Sequence, residues 1–156
     1  MKKQKGFSLI ELLIVVAIIL IIAAIAIPNL IRSRMAANES SAVGSLRTIN
    51  TAEVEYTTTY PTIGFTALAS LGGATPCTPA PATGCLIDNI LAVGTKSGYT
   101  FTVTPAGGAP NTTYTSRANA VTLNTTGTRS FCSDQTAVIE YLSGANGCTM
   151  ATGTPL

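Results

Sequence analysis

The stretch GFSLIELLIVVAIILIIAAIAIP, residues 6–28, decides the fold of this chain. After Glu11, the sixteen residues 12–27 carry no polar side-chain atom. Leu, Ile, Val and Ala favour a helix, and no glycine or proline interrupts the run before Pro28. Together with the apolar residues just before Glu11, the run is long enough to cross the ~30 Å hydrocarbon core of a bilayer. The stretch therefore predicts a long N-terminal helix that spans a membrane.

The residues ahead of this stretch, MKKQK, carry three lysines and no acid. Basic residues beside a membrane span stay in the cytoplasm, so we expect the N-terminus inside and the rest of the chain outside. A secretory signal peptide does not fit, because its apolar core is only about 7–15 residues long and a small-residue cleavage site follows that core.

Glu11 is the unusual residue of the stretch. An acid near the centre of a membrane costs about 2.5–3.5 kcal/mol on insertion scales, and such residues usually have a function. Glu11 is only about one turn inside the run, so its cost before assembly is smaller. An ordinary anchor gives no reason for this acid, whereas a helix that leaves the bilayer and packs against copies of itself does.

The segment resembles the N-terminus of the type IV pilin family, which includes the pseudopilins of type II secretion. The shared features are a short basic leader ending in Gly6, then Phe7, then Glu11 as the fifth residue after that glycine, and the apolar run up to Pro28. The resemblance implies that a prepilin peptidase cleaves between Gly6 and Phe7 and methylates the new amino group of Phe7. It also implies that Glu11 meets the positively charged N-terminus of a neighbouring subunit.

Elementary physics supports this role for Glu11, since a buried carboxylate needs a cationic partner and leaving either charge alone is expensive. Such a pair sets the register of neighbouring helices more than it adds stability. Pro28 removes one backbone hydrogen bond and clashes with the preceding turn, so we predict a kink there. The resemblance implies that this region can unwind when subunits pack in a filament.

We divide the chain into five segments. Residues 1–6 are a leader that is cleaved off, and residues 7–28 are a transmembrane or filament-core helix. Residues 29–60 are the amphipathic second half of the same helix, and residues 61–97 are a connecting loop. Residues 98–156 are predicted to form an antiparallel β-sheet that ends in a disulfide-closed loop.

The second half of the helix carries an apolar stripe that could dock on a sheet. Its members follow at spacings of four, three, three and four: Ala42, Leu46, Ile49, Ala52 and Tyr56. The charged residues Arg47, Glu53 and Glu55 are expected on the opposite, solvated face.

The β-sheet is predicted from alternation and turns. Tyr99, Phe101 and Val103 alternate with threonines, which gives one apolar and one wet face. Two further segments, 129–133 and 137–142, are predicted to form a hairpin. Three or four antiparallel strands packed on the helix stripe are the most economical fold, an α+β architecture of the pilin type.

Four cysteines lie outside the membrane by this topology, where disulfides persist. They allow three pairings, of which we predict the two local ones, Cys77–Cys85 and Cys132–Cys148. The second encloses fifteen residues, a loop whose closure gives ~3 kcal/mol of chain-entropy stabilisation. Zinc is disfavoured, because the sequence has no C-x-x-C pair and no histidine.

Charge and chemistry argue against catalysis and nucleic-acid binding. The formal charge of +2 includes the three leader lysines, and from Arg32 onward six basic residues balance six acids. A nucleic-acid site needs clustered Lys and Arg, whereas low charge suits a surface that packs against other copies. With no histidine and scattered acids, we predict no catalytic residue, cofactor or metal. Asp134 offers a single carboxylate and suggests a hairpin turn rather than a calcium loop.

The predicted function is that of a structural subunit of a type IV pilus. Its expected partners are other copies of itself, the prepilin peptidase, the inner-membrane assembly machinery and, before assembly, membrane lipid. It would reside in the inner membrane with a single span and then in an extracellular filament. Two alternatives stay open: a pseudopilin of type II secretion, and a minor pilin that acts as an adhesion or DNA-binding module.

Overall fold

The computed structural model of the protein describes residues 7–156. The predicted leader, residues 1–6 with the cleavage-site residue Gly6, lies outside the described residues. The chain divides into two compact units, Met1–Arg34 and Met35–Leu156.

Helix α1 is assigned from Leu9–Thr59, close to the bounds expected from the sequence. Pro28 lies inside α1, and the helical assignment continues on both sides of it. Proline has no backbone N–H, so one hydrogen bond of the helical ladder is missing at this point. The kink expected at Pro28 stays a prediction.

The apolar stripe on the second half of α1 is confirmed. Its five members are 0–3% exposed: Ala42, Leu46, Ile49, Ala52 and Tyr56. Arg47 and Glu55 are exposed, as the spacing predicts for residues on the opposite face.

The expectation for Glu53 was wrong, because none of its surface is exposed. Glu53 follows Ile49 by four residues and precedes Tyr56 by three, so it lies on the buried stripe of the helix. The charge of Glu53 suggested a solvated position, but its place on the helix face puts this acid in the protein interior.

The sheet has six antiparallel strands in sequential order, rather than the three or four predicted. The two additional strands, the first and the last, have two residues each, which is too short for an alternating pattern to reveal them. The bounds are β1 Thr95–Lys96, β2 Tyr99–Ala106, β3 Thr113–Ala120, β4 Arg129–Asp134, β5 Ile139–Ser143 and β6 Thr154–Pro155.

Alternation along β2 decides which face of the sheet meets the helix. Tyr99, Phe101 and Val103 are buried, and the threonines between them are exposed, as expected. Two short helices, α2 Leu68–Leu71 and α3 Asn89–Ala92, lie in the connection between α1 and the sheet. The largest fully buried side chains, which form the centre of the core, are Tyr56, Tyr99, Tyr114 and Phe131.

Buried polar contacts fix the helix on the sheet. The Tyr114 hydroxyl on β3 donates to Asn50 Oδ1 on α1 at 3.0 Å. Asn50 Nδ2 in turn donates to Ser133 Oγ on β4 at 2.8 Å. These side chains pair with one another inside the core, and buried polar groups that are satisfied in this way favour one register over others.

Both predicted disulfides are confirmed. Cys77–Cys85 closes a loop in the connection before the sheet, and Cys132–Cys148 ties the C-terminal loop to β4. The predicted hairpin turn is also present between β4 and β5. Asp134 Oδ1 accepts hydrogen bonds from the Thr136 backbone N–H at 2.9 Å and from the Thr136 hydroxyl at 2.6 Å.

Candidate functional site

The N-terminal end of α1 is built around Ser8 and Glu11. Ser8 directly precedes the first helical residue, and its backbone N–H donates to Glu11 Oε2 at 2.9 Å. This contact is one half of a capping box, in which an acid in the first turn satisfies a donor that the helix leaves unpaired. The positive end of the helix dipole also favours a carboxylate here. Glu11 therefore stabilises the start of the helix, while its side chain stays exposed.

The apolar surface of the first unit has no protein cover among residues 7–34. Every Leu, Ile and Val side chain from Leu9 to Ile31 is 46–80% exposed, and Phe7 is 85% exposed. Fully burying one such side chain is worth about 1.5–3 kcal/mol, so leaving the whole segment in water is unfavourable. Soluble monomers rarely expose apolar patches of this extent.

By length and composition, the first part of α1 can cross a membrane, and it is the one such helix among the residues that the structure describes. Phe7 and Glu11 are only four residues apart in the sequence, and both lie at the start of the helix. Pro28 is on the same helix, about 25 Å further along its axis at 1.5 Å per residue. The candidate site is therefore an apolar rod with one acid near its end, rather than a pocket.

Comparison with known proteins decides how this segment is interpreted. Residues 1–27 match the family described as the prokaryotic N-terminal methylation motif. The segment therefore matches a methylation motif of the prepilin type. The matched range includes the basic residues, Gly6, Phe7 and Glu11.

Two curated relatives are similar to part of the chain. The chain is 60% identical over 40 residues to the "Type IV wide pilus major component PilA4" of Thermus thermophilus, which covers 26% of this chain and 30% of that protein. It is 48% identical over 54 residues to the "Type IV major pilin protein PilA" of Myxococcus xanthus, which covers 35% of this chain and 24% of that protein.

The resemblance to the type IV pilin and pseudopilin family is thereby confirmed by the motif at residues 1–27 and by the two pilus proteins. The matched segments span less than a third of either relative. No solved structure is significantly similar to the chain. The role of the second unit must therefore be argued from its own contacts.

Glu39 is a structural anchor in the second unit that the sequence did not reveal. Its Oε1 accepts from the backbone N–H and the hydroxyl of Thr128, both at 2.8 Å, and its Oε2 pairs with Arg129 at 2.8 Å. The Arg129 guanidinium lies 5.5 Å from the ring centre of Phe131 and 5.4 Å from that of Tyr141. Burial opposes ionisation of Glu39, but the hydrogen bonds outweigh it and lower the pKa.

Glu53 is the second buried acid, and it is less well satisfied. Its Oε2 accepts from the Thr66 backbone N–H at 3.0 Å, whereas its Oε1 has no hydrogen-bond partner in the part of the chain that the structure describes. Burial raises the pKa of Glu53 to about 7, although the bond from Thr66 acts in the opposite direction. Glu53 is thus a carboxyl group that holds its proton in mildly acidic solution.

The remaining acids do not assemble into a reaction centre or ion site. No group of three or more His, Cys, Asp or Glu residues that could hold a metal ion occurs within residues 7–156. Asp134 closes a hairpin turn, and Asp88 caps α3 through the Leu91 backbone N–H and pairs with Lys96.

A sequence signal for Glu53 existed in its spacing from Ile49 and Tyr56. No comparable local signal existed for Glu39, because Arg129 is 90 residues away in the chain.

Proposed function

We propose that the mature chain is a structural subunit of a type IV pilus filament. The observation that carries this proposal is a prepilin-type methylation motif followed by an apolar helix without protein cover within the described residues. The names of both relatives, which are pilus components, support it. A subunit that is stored in a membrane and later polymerised needs such a helix, because lipid covers it first and neighbouring helices cover it afterwards.

The proposed path begins at the leader. Prepilin peptidase cleaves between Gly6 and Phe7 and methylates the amino group of Phe7. The chain waits in the inner membrane with a single span, its N-terminus on the cytoplasmic side and the second unit outside. Assembly machinery in that membrane then moves the subunit into a filament whose core is formed by the apolar helices.

Glu11 selects the position of each new subunit in this scheme. Within one chain its carboxylate accepts only the Ser8 backbone N–H among the described residues, so it retains capacity for a cationic partner. The charged amino group on Phe7 of a neighbouring subunit supplies that partner. Misplaced subunits leave both charges unpaired in an apolar core, and removing one partner of such a pair costs about 3–5 kcal/mol.

The test replaces Glu11 with glutamine, which keeps the shape and removes the charge. Arg34→Gln, which removes an exposed charge from the same helix, is the control. We expect Glu11→Gln to insert into the membrane but to yield few sheared surface filaments, whereas Arg34→Gln assembles normally. Normal filament yield from Glu11→Gln would contradict the proposed pairing.

The same strains distinguish the alternatives. Long surface filaments that contain this chain support the pilus subunit, whereas lost enzyme secretion on deletion, without long filaments, supports a type II pseudopilin. A DNA-binding minor pilin lacks support from the charges, because Lys96 and Arg129 are engaged in ion pairs with Asp88 and Glu39. A salt-dependent gel shift would reopen that alternative.

A further inference from the structure

The second unit carries an open groove between α1 and the β4–β5 turn. It has a volume of about 590 Å³ and a predominantly apolar wall. Its lining residues, which define the groove, are Arg47, Asn50, Thr51, Val54, Glu55 and Ala137. Val54 is 57% exposed in this wall, and Val138, next in the chain to Ala137, is 46% exposed.

A protruding apolar knob lies elsewhere on the same unit. It consists of Ile90 on α3 and Val93 just after it, which are 65% and 76% exposed. The second unit exposes six large apolar side chains, and four of them belong to the groove, its border or the knob. Its exposed apolar surface is therefore concentrated in two places rather than scattered.

The knob and the groove lie in different parts of the second unit. The knob leads into β1, the first strand of the sheet, whereas the groove adjoins the turn between β4 and β5. Neighbouring strands are about 4.8 Å apart. From β1, next to the knob, to β4, next to the groove, there are three such spacings, or roughly 15 Å. One copy cannot fill its own groove with its own knob. Two different surfaces that meet between copies form a head-to-tail contact, which generates an open helical assembly when the rotation does not close.

Charges at the two surfaces complement each other. Arg47 and Glu55 stand eight residues apart on α1, about 12 Å along the axis, and neither has an ion-pair partner among the described residues. Asp88 and Lys96 flank the knob in the sequence and pair with each other at 2.9 Å on the surface. Exposed ion pairs contribute little to stability, so exchanging partners on docking costs little.

We propose that the knob of one copy docks into the groove of the next copy, with Asp88 facing Arg47 and Lys96 facing Glu55. The occupant of the groove is a second copy of this chain, and the inference rests on the proposed filament function. The balanced charge of the chain from Arg32 onward, six basic against six acidic residues, permits such close repetition. This contact would add a head-to-tail interface between second units to the packing of the apolar helices in the filament core.

The first test introduces Thr51→Cys and Val93→Cys into the full chain, whose four native cysteines are already paired. Filaments are oxidised mildly and analysed on a denaturing, non-reducing gel. We expect a ladder of dimers, trimers and longer oligomers, because each copy supplies one cysteine to each neighbour. The single variants should stay monomeric, and so should Ala37→Cys with Val93→Cys, which places the cysteine at an exposed position of α1 about 21 Å along the axis from Thr51.

The second test exchanges charges. Glu55→Lys and Lys96→Glu, each alone, place like charges together and should reduce filament yield about tenfold or more, whereas the double variant should recover most of it. Recovery separates a direct contact from a folding defect, which a second substitution would not repair.

Each outcome decides the inference. Filaments without a crosslinked ladder overturn it and leave the proposed function intact, and so does a crosslink to a different protein. If the cysteine pair prevents assembly, the charge exchange decides, and failure of the double variant to recover overturns the docking. Absence of filaments from the unmodified chain overturns the proposed function, and the docking with it.

Discussion

The two units of the chain solve the burial of apolar side chains in different ways. Residues 35–156 bury theirs internally, around Tyr56, Tyr114 and Phe131, under a six-stranded sheet. Residues 7–34 bury almost none, and every large aliphatic side chain of the helix there is about half exposed or more. The second unit therefore has a core of its own, whereas the first has an apolar surface that the described chain does not cover.

Glu53 and Glu11 show the same difference between the two units at single residues. Glu53 is surrounded by its own chain, and the core around it raises its pKa. Glu11 stands in an apolar sequence that its own chain leaves open, with the Ser8 backbone as its hydrogen-bond donor. An acid in apolar surroundings is costly in both places, and under the proposed function a neighbouring subunit supplies the partner of Glu11.

The largest expected effect comes from truncating a core residue. Phe131→Ala should lower the free energy of unfolding by about 3–5 kcal/mol, because the ring is fully buried and leaves a cavity. Ile14→Ala, at a 52% exposed site of the first unit, should leave it unchanged. Urea unfolding of the full chain in mild detergent, followed by tyrosine fluorescence, measures this, since all five tyrosines lie in the second unit. Equal losses in the two variants would remove the distinction between the units.

The two disulfides should contribute unequally to the stability of the second unit. Replacing Cys132 and Cys148 by serine should cost about 3 kcal/mol, because that bond closes the longer loop, with a sequence separation of 16. Replacing Cys77 and Cys85, with a separation of 8, should cost about 2.5 kcal/mol. The same urea experiment compares them. A larger loss from the shorter loop would show that chain entropy does not govern their contribution.

The smallest effect is a pH dependence from Glu53. Its pKa is about 7 in the folded chain against an ordinary value of 4.5, so between these pH values the unfolded chain loses a proton that the folded chain keeps. Stability from this group is therefore full below pH 4.5 and falls as the pH rises to 7, by about 2–3 kcal/mol. Glu53→Gln should abolish this slope, and Glu55→Gln should retain it. An unchanged slope in Glu53→Gln would show that the buried acid does not titrate in this way.

Much of the architecture could be predicted from local patterns. The apolar run, the acid at the fifth position after Gly6 and the stripe from Ala42 to Tyr56 each follow one helical period or one motif. The cysteine pairs were also predictable, because short loops close easily. The β2 alternation predicted its buried face for the same reason.

What the sequence did not show depends on contacts between distant residues. The pair of Glu39 and Arg129 forms only when β4 reaches α1, and nothing in the local sequence of either residue predicts it. β1 and β6 exist because neighbouring strands offer free edges, not because two residues prefer to be extended. Glu53 was misassigned because its charge was given more weight than its helical position.

The most direct test of the central claim is the mass of the N-terminal peptide of the mature protein, isolated from membranes and from filaments. The central claim is that the leader is removed before Phe7, and that the new amino group then pairs with Glu11 of a neighbouring subunit. It predicts a peptide that starts at Phe7 and carries one additional methyl group on its amino nitrogen. A mature protein that still starts at Met1 would contradict it.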